Sequence, residues 1–145
     1  MMDRLSIKER SENMARIRGK DTGPELRVRK LLHGLGYRFR LHRRDLPGRP
    51  DIVFPSRNKV IMVHGCFWHR HPGCKYAYHP KSRVEFWTQK FEANVNRDRE
   101  QVSELIRRGW GTMIVWECEL SDLKDLGMRL RAFLDMPKNT NEVAQ

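Results

Sequence analysis

The chain has 145 residues, and its 29 lysines and arginines against 18 aspartates and glutamates give a formal net charge of +11. This length can bury a hydrophobic core without disulfides, and the charge favours a polyanionic partner, with nucleic acid as the first candidate. No apolar run approaches the roughly 20 residues that span a bilayer, and no secretion signal follows the first residues. We therefore expect a cytoplasmic protein with one domain at residues 1–136 and a disordered tail at residues 137–145.

The N-terminal stretch, residues 1–20, is polar and basic, and Met14 is one of its few apolar residues. This pattern predicts a short basic helix or arm. Two interpretations stay open: a solvated helix face with a few core contacts, or a clamp that lies on DNA.

The first well-marked helix should begin at Thr22, which has the chemistry of an N-cap. Glu25 lies three residues later, as in a capping box. Apolar residues then follow the helical spacing at Val28, Leu31, Leu32 and Leu35. Taken alone, Glu25 thus has a sufficient structural explanation as part of the cap.

Three strands are predicted after this helix. Residues 37–41 alternate apolar side chains with arginines, which indicates a strand with one basic face. A turn then brings Pro50 and Asp51 to the start of a second strand, residues 52–54, and residues 55–58 reverse the chain into a third, antiparallel strand at residues 60–63. Arginines crowd the approach to Asp51, so an acid at this position suits a metal site that faces phosphate.

Cysteines and histidines cluster directly after the third strand, at His64, Cys66, His69, His71 and Cys74. The spacing Cys66-x4-His71-x2-Cys74 is typical of a zinc-binding loop, because a tetrahedral ion needs a tight turn to gather its ligands. His69 could replace His71 in this role. The alternative is that the cysteines are packed and inert and the histidines face solvent.

A long helix is predicted from the capping-box pattern at Ser82 to about Arg108. The strand that follows it, residues 112–117, should lie parallel to the strand at residues 60–63, because a helical crossover joins them. Cys118 would then reach the same sheet edge as Cys66 and complete a Cys3His site. A last helix is expected from Ser121.

Three aromatic residues are candidates for contact with a ligand. Phe67 and Trp68 are adjacent within the Cys/His loop, and Trp87 lies near the start of the long helix. Core packing is the simpler explanation for such residues. The adjacent pair, however, follows neither helical nor strand periodicity, so we favour an exposed wedge.

The order of these elements resembles the core of the PD-(D/E)xK nucleases: a helix with Glu25, a strand with Asp51, an antiparallel strand, a helix and a strand. The resemblance implies an α/β fold with a restriction-endonuclease-like mixed sheet flanked by helices. Such enzymes use carboxylate-bound Mg²⁺ to activate water at a phosphate. The usual acid-x-Lys is replaced here by Met62-Val63-His64, and histidine is a natural substitute as a base near neutral pH.

Several segments make the resemblance more specific. They are Arg-Ser-Glu-Asn-Met at residues 10–14, Leu-Pro-Gly-Arg-Pro-Asp at 46–51, Val-His-Gly-Cys-Phe-Trp-His at 63–69, Glu-Phe-Trp at 85–87 and Val-Trp-Glu-Cys at 115–118. Together they resemble the very-short-patch-repair (Vsr) endonuclease family. The resemblance implies a monomer that nicks double-stranded DNA 5′ of the thymine in a T:G mismatch, the lesion left by deamination of 5-methylcytosine. It also implies functional links to a cytosine-5 DNA methyltransferase and to mismatch-repair proteins.

Residue roles follow from the same resemblance. Catalytic Mg²⁺ would be held by Asp51 and the main-chain carbonyl of Val63. His69 would activate the water, His64 would contact the phosphate, and Glu25 would support the metal-water network. Structural Zn²⁺ would be held by Cys66, His71, Cys74 and Cys118. The base stack would be entered by Phe67, Trp68 and Trp87, and from the opposite groove by Met14.

Three other functions are compatible with the residues. A restriction-like or structure-specific nuclease on the same fold would cut both strands or DNA without a mismatch. A non-catalytic, zinc-stabilised DNA-binding module would need Zn²⁺ to fold but no Mg²⁺ for activity. A basic RNA-binding protein would leave the arrangement of Asp51 opposite the Cys/His loop unexplained.

Overall fold

The chain folds around a mixed β-sheet, seen in a computed structural model that describes residues 21–137 and the backbone of residues 143–144. Within these residues the strand order is β1 (Arg40–Leu41), β2 (Ile52–Phe54), β3 (Lys59–His64), β4 (Gly111–Trp116) and β5 (Val143–Ala144). The pairs β1–β2 and β2–β3 are antiparallel, and the pairs β3–β4 and β4–β5 are parallel. The predicted α/β fold with a mixed sheet is confirmed.

Three helices flank the sheet in the described part of the chain: α1 (Gly23–Gly34), α2 (Val84–Arg107) and α3 (Leu123–Leu134). Helix α2 lies in the connection between β3 and β4, which pair in parallel as the helical crossover predicted. No helix in residues 21–137 is long and apolar enough to cross a membrane.

The two faces of the sheet bury different helices. Along β3, Ile61 packs with residues of α1 and α3, whereas Val60 and Met62 pack with Leu105 of α2. This alternation follows from the two-residue period of a strand, which sends successive side chains to opposite faces. The sheet is therefore covered on both sides, and its functional groups lie at strand ends.

Helix starts differ in part from the capping predictions. Thr22 caps α1 as expected, since its Oγ1 accepts the N–H of Glu25 at 3.4 Å. In a capping box the Glu25 carboxylate would accept the N–H of Thr22, but it accepts that of the preceding residue, Asp21, at 3.0 Å. The capping box predicted at Ser82 is wrong. The residue before α2 is Arg83, which has a positive φ of 53° and makes no side-chain cap hydrogen bond. The preceding loop, not a local cap, therefore sets where α2 begins.

Other boundaries also shift. The strand predicted at residues 37–41 is only the two-residue β1, because Tyr37 and Phe39 turn into the core and meet the ring of Phe54 edge-on. The last helix begins at Leu123, after a 3-10 segment at Glu117–Ser121. Val143–Ala144 pair in parallel with β4.

Candidate active site and metal-binding cluster

A buried carboxylate, Glu25, and a half-buried one, Asp51, lie together where α1 approaches the start of β2. Asp51 directly precedes β2, and its Oδ2 accepts the main-chain N–H of Val63 on β3 at 2.7 Å. Glu25, on the first turn of α1, is only 4% exposed. Burial, and then the charge of Glu25, raise the pKa of Asp51 to about 7. A pair of carboxylates that repel each other in a buried place suits a hard divalent cation, which prefers oxygen ligands.

A basic residue that the sequence did not single out holds Glu25 in place. Nη2 of Arg29 lies 2.7 Å from Asp21 Oδ1, 3.1 Å from Glu25 Oε2 and 3.0 Å from His42 Nε2. The ligand atoms of Asp21, Glu25 and His42 are close enough to hold a metal ion. Because the Arg29 guanidinium already contacts these three side chains, it supplies the positive charge that a metal ion would otherwise bring. The i, i+4 spacing of Glu25 and Arg29 on a helix was the sequence signal that could have indicated this contact.

A histidine pair follows the end of β3. His64 is 6% exposed, and its ring stacks on that of His69 with centroids 3.8 Å apart and planes 9° apart. Burial, and then the nearby His69, lower the pKa of His64 to about 3, so its ring is neutral at physiological pH. Nδ1 of His64 has no hydrogen-bond partner among the described residues. A buried, unpaired ring nitrogen is a group that a bound ligand would satisfy.

His69 has an acidic partner that the sequence analysis missed. Its Nδ1 lies 2.6 Å from Oδ2 of Asp98, on α2. An imidazole that donates Nδ1–H to a carboxylate keeps Nε2 free to accept a proton. Asp98 falls between Val95 and Val102 in the helical repeat of the buried face. An acid inside an apolar stripe was the signal that could have found it.

The predicted cysteines and His71 also come together. Nδ1 of His71 lies 3.7 Å from Sγ of Cys66 and 3.4 Å from Sγ of Cys118, and with Cys74 all four ligand atoms lie within 4.8 Å of one another. Tetrahedral zinc with normal bond lengths would place such sulfur and nitrogen atoms about 3.6 Å apart. Burial raises the pKa of the Cys66 thiol to about 12, so its thiolate needs a cation. The four residues therefore fit zinc, and His69 lies with Asp98 instead.

The three candidate wedge residues, Phe67, Trp68 and Trp87, lie together, and we call them the aromatic cluster. Its ring centroids are 5.2 Å apart for Phe67 and Trp68, 5.8 Å for Phe67 and Trp87, and 5.9 Å for Trp68 and Trp87. All three side chains are half-buried. Phe67 and Trp68 immediately precede His69, so the cluster adjoins the histidine pair. Met14 lies outside the described residues.

Val63 connects these groups, because its N–H holds Asp51 and the next residue is His64. The end of β3 thus brings a carboxylate pair, a neutral histidine and a histidine–aspartate pair into one region of a basic protein. This fold and this set of acids and bases define the class of the protein as a phosphodiester-cleaving nuclease.

Comparisons with known proteins give the family. Residues 2–75 match the family model described as DNA mismatch endonuclease Vsr. The chain belongs to this family and is a DNA nicking endonuclease.

Three relatives cover most of the chain. It is 56% identical over 135 residues to the type II nicking enzyme V.XorIIP of Xanthomonas oryzae pv. oryzae, spanning 93% of this chain and 98% of the relative. It is 48% identical over 111 residues to the DNA mismatch endonuclease Vsr of Escherichia coli K12, spanning 77% of this chain and 70% of the relative. It is 39% identical over 122 residues to the type II nicking enzyme V.NmeAIP of Neisseria meningitidis, spanning 84% and 86%.

Proposed function

We propose that this nicking endonuclease cuts one strand of double-stranded DNA on the 5′ side of the thymine in a T:G mismatch and so starts very short patch repair. The main support is that Phe67 and Trp68 of the aromatic cluster directly precede His69 in the chain. Side chains inserted between bases pay an unstacking cost of a few kcal/mol, which is lowest at a mismatch. Identity of 48% to a relative named a DNA mismatch endonuclease supports the same target.

Asp51 and the main-chain carbonyl of Val63 would hold the catalytic Mg²⁺, and Glu25 would support it. The carboxylate pair favours this assignment, because burial and the charge of Glu25 disfavour the charged form of Asp51, which a cation would stabilise. Bound there, Mg²⁺ would supply charge compensation at the phosphate and an acidified water. The N–H of Val63 keeps the Asp51 carboxylate oriented without that ion.

His69 would act as the general base. Asp98 accepts Nδ1–H at 2.6 Å, so Nε2 can take the proton of the attacking water while the carboxylate stabilises the imidazolium that forms. His64 would contact the phosphate as a neutral hydrogen-bond donor, since burial keeps its pKa near 3. The stacking of His64 on His69 also limits rotation of the His69 imidazole.

The role proposed for the zinc site is structural. Cys66 and Cys74 bracket the loop segment that carries Phe67 and Trp68, and Cys118 follows the neighbouring strand β4. Zn²⁺ on these residues and His71 would fasten the loop to the sheet. The positions of Phe67 and His69 relative to each other would then be fixed. We also propose a cytoplasmic monomer with functional links to a cytosine-5 DNA methyltransferase, whose product yields the mismatch, and to mismatch-repair proteins.

A second candidate is nicking of fully paired DNA at a recognition sequence. It is favoured by the 56% identity to a relative named a type II nicking enzyme. The chemistry of Asp51 and His69 would be the same in both cases, and only the substrate would differ. Membership of a nicking family argues against the non-catalytic DNA-binding module.

A nicking assay with either strand end-labelled decides between the two. T:G and T:A duplexes in a panel of flanking sequences are incubated with and without Mg²⁺, with Asp51→Ala as the inactive control. We expect one Mg²⁺-dependent cut, 5′ of the mismatched thymine. Equal cutting of T:A duplexes would favour the second candidate, and undiminished cutting by Asp51→Ala would overturn the proposed chemistry.

A further inference from the structure

Arg70 joins three separate segments around the aromatic cluster. Its Nη1 donates to the main-chain carbonyls of Phe67 at 3.2 Å and Tyr78 at 3.0 Å, and its Nη2 donates to the carbonyl of Ala77 at 2.7 Å. Its Cζ also lies 3.9 Å from the ring centroid of Phe91 on α2. One guanidinium therefore ties the turn that carries Phe67 to the far part of the Cys/His loop and to the helix.

The described partners of Arg70 are main-chain carbonyls and aromatic rings. Among the described residues no carboxylate forms an ion pair with Arg70, so its donors serve neutral carbonyls only. Its backbone has a φ of 54°, a left-handed conformation that costs a non-glycine residue roughly 1 kcal/mol. A planar, multidentate donor in such a place fixes geometry, which a lysine cannot do equally well.

Arg70 and the far part of the Cys/His loop border open space on one side. An open cavity of about 610 Å³ lies there, lined among others by Arg70, Ala77, Phe91 and Val95. The ring of Phe67 packs on that of Phe91 at 5.2 Å, and Asn94 Nδ2 donates to the Trp68 carbonyl at 3.4 Å, so Arg70 adds the bonds that hold the Phe67 carbonyl and the far part of the loop. Loss of the guanidinium would leave the carbonyls of Phe67, Ala77 and Tyr78 without this donor, so the turn would loosen while the domain stays folded.

We propose that Arg70 is a positioning residue for DNA unstacking: it holds the turn of Phe67 and Trp68 rigid, so that the aromatic cluster enters the base stack preformed. The inference rests on the proposed wedge function. Preorganisation lowers the ordering cost at binding, so its loss reduces the population of the unstacked complex. Arg70 touches none of the reacting groups and acts through Phe67.

The test compares Arg70→Met, which keeps side-chain bulk, with Arg70→Lys, which keeps the charge. Lys81→Met is the matched control, because it removes one positive charge from the same loop. Each variant is made with Asp51→Ala, and 2-aminopurine beside the T:G pair reports unstacking at saturating protein. Acrylamide quenching of tryptophan fluorescence reports loosening in free protein, and zinc content and melting temperature report folding.

We expect Arg70→Met to give an unstacking signal about ten-fold below that of the parent, with stronger quenching and unchanged zinc. Arg70→Lys should be intermediate and Lys81→Met like the parent. A full unstacking signal from Arg70→Met would overturn the proposal. If Arg70→Met loses zinc, Arg70→Lys decides: a reduced signal supports the proposal and a full signal overturns it. If the parent itself gives no signal, the wedge function fails and the Arg70 role with it.

Discussion

The imidazole of His69 is fixed from two directions: its Nδ1 lies 2.6 Å from Asp98 Oδ2, and its ring stacks on His64 at 3.8 Å. The carboxylate selects the tautomer with hydrogen on Nδ1, and the stacking restrains the ring plane. His64 lies on β3 and Asp98 on α2, and both elements pack into the hydrophobic core. The His69 ring is therefore fixed in the DNA-free protein, as the proposed general-base role requires.

The first prediction concerns Asp98. Asp98→Asn should lower the single-turnover nicking rate by about 10² to 10⁴, because the amide no longer fixes the tautomer or stabilises the imidazolium. DNA affinity should be unchanged. Single-turnover nicking at saturating enzyme measures the first effect, and fluorescence anisotropy the second. Glu100→Gln, an exposed acid on the same helix, is the control. A loss below about 10-fold for Asp98→Asn would contradict a general-base role supported by this residue.

The second prediction is a pH dependence of stability. Burial and Glu25 raise the pKa of Asp51 to about 7, well above that of an unfolded aspartate. Between about pH 4 and pH 7 the folded state keeps a proton that the unfolded state has released, so this group makes the free energy of unfolding fall as pH rises. His64 has the opposite sign. Its pKa of about 3 when folded means that stability rises with pH up to about 6.5.

Comparing the free energy of unfolding of Asp51→Asn with that of the parent separates the contribution of Asp51 from that of His64. At pH 8 without divalent cations this variant should be more stable than the parent, on the order of 1–3 kcal/mol, and the advantage should shrink toward pH 5. The amide oxygen can still accept the N–H of Val63. Urea denaturation measures the difference. Asp45→Asn is the control, because the pKa of Asp45 is lowered by Arg43, so this variant should gain nothing at pH 8. A parent more stable than Asp51→Asn at pH 8 would refute the buried-charge argument.

The third prediction assigns the histidine ligand of zinc. His71→Ala should lose bound zinc and melt at a lower temperature, because His71 Nδ1 lies between the sulfur atoms of Cys66 and Cys118. His69→Ala should keep its zinc and lose nicking activity. Metal analysis after dialysis, together with thermal unfolding, checks both. His79→Asn, an exposed histidine of the same loop, should change neither. Zinc loss from His69→Ala with retention by His71→Ala would reverse the assignment.

Much of the fold was predictable, because strand and crossover patterns act over long stretches. The parallel pairing of β3 and β4 follows from the helix between them, and it explains why Cys118 could be matched with Cys66 across 51 intervening residues. The start of α2 was not predictable. Ser82 has the chemistry of a cap, but the loop before it sets Arg83 as the last non-helical residue.

The supporting residues of the site were harder to find than its central ones. Asp98 stands among the charged residues Arg97, Arg99 and Glu100, which obscure its place on the buried face between Val95 and Val102. Only the position of its face relative to β3, which depends on tertiary packing, brings it to His69. Arg29 could have been suspected from its spacing to Glu25, but its contact with His42 joins segments that no local pattern relates.

The last prediction concerns Lys59, the first residue of β3, which is 1% exposed. Its Nζ donates to the carbonyls of Phe133 at 2.6 Å, Leu134 at 3.2 Å and Met136 at 2.5 Å, and so caps the end of α3. Lys59→Met should destabilise the protein by about 2–5 kcal/mol, because it leaves these carbonyls without their donor. Nicking at 25 °C should persist, since Lys59 lies about 17 Å along β3 from His64. Urea denaturation and single-turnover nicking check the two outcomes, with the exposed Lys124→Met as control. Equal stability of Lys59→Met and the parent would show that the three carbonyls find other partners.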